Sequence, residues 1–68
     1  MQKESEKLGS KLKAIRVNKK ITQSELAVIL GVDKSFVSNI ENGKNNPTLS
    51  TIASLAKDLK VRVEDLFK

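Results

Sequence analysis

The stretch QSELAVILGVDKSFVSNI, residues 23–40, decides the fold. Thr22 and Glu25 around its start form a T-x-x-E capping box, in which side chain and backbone satisfy each other's unpaired groups at a helix N-terminus. Leu26 and Leu30 lie four apart and share a helical face, and Ala27 beside them lets another backbone approach. Gly31 follows the last periodic residue, where a left-handed cap costs no Cβ clash. Val32 is expected to plug the corner, and Asp33 to cap a second helix. In that helix Val37 and Ile40 turn an apolar edge back toward Leu26 and Leu30. The stretch therefore predicts two short helices crossing over a glycine turn, a helix-turn-helix unit.

In those residues the chain resembles the phage repressor/Cro (Xre-type) family of DNA-binding regulators. Gln23 opens the unit, Leu26-Ala27 and Leu30-Gly31-Val32 match its core and hinge, and Val37 and Ile40 match the second helix. Glu41-Asn42-Gly43 is similar to the E-N-G that ends the recognition helix in many members. The likeness runs from about Leu12 to Phe67. It implies a compact all-α bundle and a transcriptional regulator acting on double-stranded DNA.

Length and composition set independent bounds. A chain of 68 residues suggests one domain over residues 1–68, with a core too small to supply much stability alone. It has no Cys and no His, so disulfides and the usual zinc clusters are excluded as supplements. A net charge of +5 favours a polyanionic partner. The two aromatics, Phe36 and Phe67, offer no stacking platform for single strands, which leaves duplex DNA. No long apolar run and no leader-like N-terminus are present, so neither a membrane nor secretion is expected, and the cytoplasm is.

Outward from the central unit, Leu8, Leu12 and Ile15 mark a first helix at about 5–19, with Ala14 at the edge of its apolar face and residues 1–4 expected as an arm. Gly9 is expected to weaken that helix by about 1 kcal/mol. The central helices span about 23–30 and 34–42. Gly43 to Thr48 reads as a loop, with Pro47 excluding Asn46 from helix and Thr48 offering the next cap. Leu49, Ile52, Leu55, Ala56 and Leu59 predict a fourth helix at 49–59, and Val63 to Phe67 a fifth. Family members often carry Ser or Thr where this chain has Arg62, so the fifth helix is expected to fray unless packing holds it. Five short helices in a bundle is the expected architecture.

If Val37 and Ile40 face inward, the helical period puts Ser35, Ser38, Asn39 and Asn42 outward, flanked by Lys34 and Phe36. An α-helix fits the major groove, where Asn39 suits adenine, Lys34 suits guanine, and Ser35 or Ser38 suits either. These four are the expected base contacts. Thr22, Gln23, Phe36, Asn42, Lys44 and Asn45 are the expected backbone contacts, Gln23 because helix N-termini favour phosphate. Phe36 reads more often as a packing residue than as a DNA contact, and Lys13, Lys19 and Lys20 read first as solvated. The resemblance also implies an internal bridge between Arg16 and Glu41.

One such domain sees few base pairs, so a homodimer is expected, with Val63, Leu66 and Phe67 as its contact and Leu66 also suited to the core. No nucleophile, general base or phosphate loop is discernible, and neither catalysis, a cofactor, a metal nor a small-molecule effector is expected. The rivals are an antitoxin built on the same module and a protein-binding adaptor that has lost DNA binding. The basic-polar set at Lys34, Ser35 and Asn39 argues against the adaptor.

Overall fold

Four α-helices and one 3-10 turn make up the computed structural model, which describes residues 4–45 and 47–67. In chain order these are α1 (Glu4–Asn18), α2 (Gln23–Leu30), α3 (Lys34–Glu41), α4 (Leu49–Leu59) and the 3-10 turn Val63–Leu66. Four of the five predicted elements are thus α-helical, and the fifth is the tighter 3-10 form. Of the arm expected over residues 1–4, Glu4 instead opens α1, while residues 1–3 and the pre-proline Asn46 lie outside the described residues.

The central unit forms as its capping signals dictate. Thr22 Oγ1 accepts from the Glu25 amide at 3.0 Å, and the Thr22 amide donates to Glu25 Oε1 at 2.9 Å. The Thr22 backbone amide, donating to the carboxylate, and then the Thr22 hydroxyl hold the Glu25 carboxyl below its ordinary pKa. Gly31 ends α2 in the left-handed region at φ 71°, with the Val32 amide closing onto the Ala27 carbonyl at 2.9 Å. Asp33 takes the extended N-cap conformation before α3, but its side chain makes no cap bond. Val32 is 36% exposed and so borders the corner without filling it.

Leu26, Ala27, Val37 and Ile40 bury together with Leu8, Leu12, Ile52, Leu55, Ala56, Leu59 and Leu66 in one core. Ile15, Ile21, Leu30, Phe36 and Val61 pack against its margin, while Ala14 is exposed. The C-terminal turn is held at both ends of its short span. Leu66 is wholly buried, and the Arg62 amide donates to Asp65 Oδ2 at 3.1 Å. The Asp65 carboxylate thus supplies the reciprocal half of a capping box, the half that satisfies the N-cap amide and not the amides within the turn.

Gly9 has a different role from the one its helix propensity suggests. A Cβ there would stand 2.3 Å from the Ile40 carbonyl oxygen and 2.7 Å from that of Glu41. The absent side chain lets α1 lie directly against the last turn of α3. Close backbone approach, and not helix weakness, explains a glycine in this helix.

Candidate nucleic-acid interface

The second helix of the unit, α3, is amphipathic in three dimensions as in sequence. Val37 and Ile40 are fully buried, Lys34 and Ser35 are exposed, and Ser38 and Asn39 are half-buried. Ser35, Asn39 and Asn42 follow one another at helical spacing, which gives a short polar edge. Asn42 is exposed, and its Nδ2 donates to Ser38 Oγ at 3.3 Å, so Ser38 is partly engaged within its own helix. Past the helix, Gly43 adopts φ 74° and turns the chain so that the Lys44 amide reaches the Asn39 carbonyl at 2.9 Å. Lys44 is exposed and Asn45 half-buried just beyond.

The expected Arg16–Glu41 bridge forms, with more bonds than the resemblance implies. Arg16 Nε donates to Glu41 Oε2 at 2.6 Å and Nη2 donates to Oε1 at 3.1 Å. Its Nη1 donates to the Ile21 carbonyl at 2.8 Å. The fork thus ties α1, the α1–α2 link and the end of α3 together, which the point charge of a lysine would not do. The two side chains are only 11% and 2% exposed. Gln23 joins them, because its Nε2 donates to Glu41 Oε1 at 3.0 Å. Sequence spacing gave no sign of this third bond, since Gln23 and Glu41 stand 18 residues apart.

Two further placements refine the sequence reading. Phe36 is half-buried against the margin of the core and lines a groove with Leu30, Val32, Thr51, Ser54 and Leu55. Leu66 has no accessible surface and belongs to the core, so it has nothing to offer a dimer contact; Phe67 and Val63 remain 56% and 42% exposed. Lys20, read first as solvated, is exposed near the start of α2. With Arg16, Thr22, Gln23, Ser24 and Lys34 it lines an open cleft of about 380 Å³ at the N-terminus of α2. Its backbone sits in the left-handed region at φ 60°, a conformation with no lysine-specific sequence signal.

A glycine-hinged helix pair, a polar edge on its second helix and cations at the start of its first define a helix-turn-helix protein. The chain belongs to the helix-turn-helix (HTH_3) family, a family of DNA-binding regulators, which it matches over residues 12–66. It is 42% identical to the HTH-type transcriptional repressor RghR of Bacillus subtilis over 62 residues, 90% of this chain and 46% of that protein. The chain therefore spans less than half the length of that repressor. Among solved structures it is similar to the restriction-modification controller protein C.AhdI from Aeromonas hydrophila. That match has a TM-score of 0.87 and 35% identity, and covers 93% of this chain and 96% of the other. The controller protein C.Esp1396I, solved as a tetramer with its natural 35 base-pair operator, matches at TM-score 0.82 and 25% identity, with 100% of both chains covered.

Proposed function

We propose that this chain is a sequence-specific duplex-DNA-binding transcriptional regulator, a homodimeric, non-catalytic repressor acting in the cytoplasm. The polar edge of α3 carries the reading. Lys34, Ser35 and Asn39 stand on a helix whose opposite side is fixed in the core, so they can enter a major groove without unfolding anything. Asn39 and Ser35 are the principal base readers, with Lys34 beside them and Ser38 contributing less because Asn42 engages it. Thr22, Gln23, Asn42, Lys44 and Asn45, joined by Lys20, flank that edge as phosphate contacts. Family membership and the operator complex of C.Esp1396I support this over the antitoxin and adaptor readings. Among the described residues no helix is long and apolar enough to cross a membrane.

Two copies related by a twofold axis would place their recognition helices about 34 Å apart on an inverted repeat. Phe67 and Val63 supply the exposed apolar surface for that contact. Selection of bound duplexes from genomic fragments, followed by footprinting and sedimentation, is expected to return a short inverted repeat carrying two chains. On that site Asn39→Ala should cost roughly 1–3 kcal/mol and relax one base position. Lys44→Ala should instead weaken all duplexes alike and lower the salt slope by about one. Base preference untouched by Asn39→Ala would overturn the assignment of the reading edge.

A further inference from the structure

Asn42 and Gly43, where α3 gives way to the loop, are the one Asn-Gly pair in the sequence. Such a pair carries its own reagents. The Asn42 side-chain amide is an electrophile one ring closure away from the Gly43 backbone nitrogen, and glycine puts no side chain in the path. Asn42 is exposed, and its Nδ2 is held by a long 3.3 Å bond to Ser38 Oγ. The fold withholds the reaction. Asn42 has ψ 3°, so the Gly43 nitrogen eclipses the Asn42 backbone nitrogen and not its Cβ. The Gly43 amide donates to the Ile40 carbonyl at 3.0 Å, and the Lys44 amide to that of Asn39 at 2.9 Å. Closing the ring requires ψ to swing, which breaks both bonds. Both belong to the end of a helix, where local opening is easiest.

We propose that Asn42-Gly43 is a self-modifying site, gated by the end of α3, whose product disables the edge that faces DNA. The consequence rests on the DNA-binding reading above; the chemistry does not. When the turn opens, the Gly43 nitrogen gives up its proton to hydroxide and bonds to Asn42 Cγ. The Cγ–Nδ2 bond breaks, and the amide nitrogen leaves as ammonia after taking a proton from water. Water then opens the cyclic imide at either carbonyl, giving aspartate or isoaspartate. Water is consumed, ammonium is released and a carboxylate remains, with nothing oxidised or reduced. Aspartate puts a negative charge at a proposed phosphate contact and at the negative end of the α3 dipole. Isoaspartate also lengthens the backbone where Gly43 and Lys44 close the helix. A bound duplex holds the turn shut, so chains free of DNA are inactivated sooner than chains in use.

The test incubates the whole chain at mildly alkaline pH alone, in urea and with the selected inverted repeat. Tryptic fragment 35–44 is then followed by mass spectrometry. That fragment holds Asn39 as an internal control, because Ile40 after it is branched and buried. Conversion should occur at Asn42 and not at Asn39, at least about tenfold slower in the folded chain than in urea. The duplex should slow it further, and Ser38→Ala should speed it about threefold in the folded chain. Asn42→Asp should bind the repeat at least about tenfold more weakly than Asn42→Gln, whose longer side chain keeps the amide but closes a ring poorly. No conversion at Asn42 in urea would remove the site, and equal rates folded and unfolded would remove the gate. Equal binding by the Asn42→Asp and Asn42→Gln chains would remove the consequence. A parent chain with no preference between duplexes would instead sink the regulator reading, and the fragment masses would still decide the site and its gate.

Discussion

The two ends of α3, the proposed recognition helix, are held very differently. At its start, Asp33 makes no cap bond, Gly31 has nothing within 4 Å of where a Cβ would be, and Lys34 and Ser35 are exposed. At its finish, Gly9 lies against the backbone, and Arg16 and Gln23 grip Glu41. Gly43 then turns the chain where a Cβ would meet the Glu6 side chain at 2.7 Å. The helix is anchored at its C-terminal end and presents its N-terminal end. That division lets residues meant for a partner stay hydrated and exchangeable while their orientation is set elsewhere. Anchoring through Lys34 and Ser35 themselves would bury the groups the proposed function needs exposed.

Breaking the anchored end should have the largest effect. Arg16→Ala strands a buried carboxylate with Gln23 as its remaining side-chain donor, and should cost about 3 kcal/mol in urea unfolding. In a domain of this size that is most of the stability a single core supplies. A loss below about 1 kcal/mol would mean that Glu41 finds water on a small shift of α3.

Gly9→Ala comes next and turns on sign. At an exposed helical site the change would stabilise by roughly 0.5–1 kcal/mol. Here the added methyl meets two carbonyl oxygens of α3, so a destabilisation of about 2 kcal/mol is expected. A raised melting temperature would show that α1 and the end of α3 are not in direct contact.

The smallest effects sharpen the contrast between capped and uncapped starts. Thr22→Ala removes a formed box and should cost about 1 kcal/mol, whereas Asp33→Ala should stay within about 0.5 kcal/mol. The Glu25 carboxyl, lowered by its bonds to Thr22, contributes above its ordinary value and loses that contribution as pH falls through its depressed one. Acidification below the ordinary carboxylate range should therefore lower the parent's stability, and more than it lowers that of Glu25→Gln, which has no carboxyl to protonate. Equal costs of Thr22→Ala and Asp33→Ala at neutral pH would erase the distinction.

Local signals made much of this molecule legible from its residues. The box at Thr22 and Glu25, the glycine caps at Gly31 and Gly43, and the apolar period of α4 act within a few positions, so spacing alone reveals them. The polar edge of α3 was legible for the same reason, because burying Val37 and Ile40 dictates which residues face outward. The Arg16–Glu41 pairing came from resemblance, since two residues 25 positions apart carry no local record of it.

Four helices end on a left-handed residue that lets the next amide close back, yet only Gly31 and Gly43 announce it; Lys20 and Lys60 adopt φ 60° under tertiary constraint. By itself, then, the sequence determined where helices start and stop and which faces are greasy, through interactions that span a turn or two. Only the packed structure decided that Gly9 is a contact point, that Gln23 completes the bridge and that Leu66 is core. Each of those depends on which distant backbone arrives beside it, and that is set by the whole bundle closing at once.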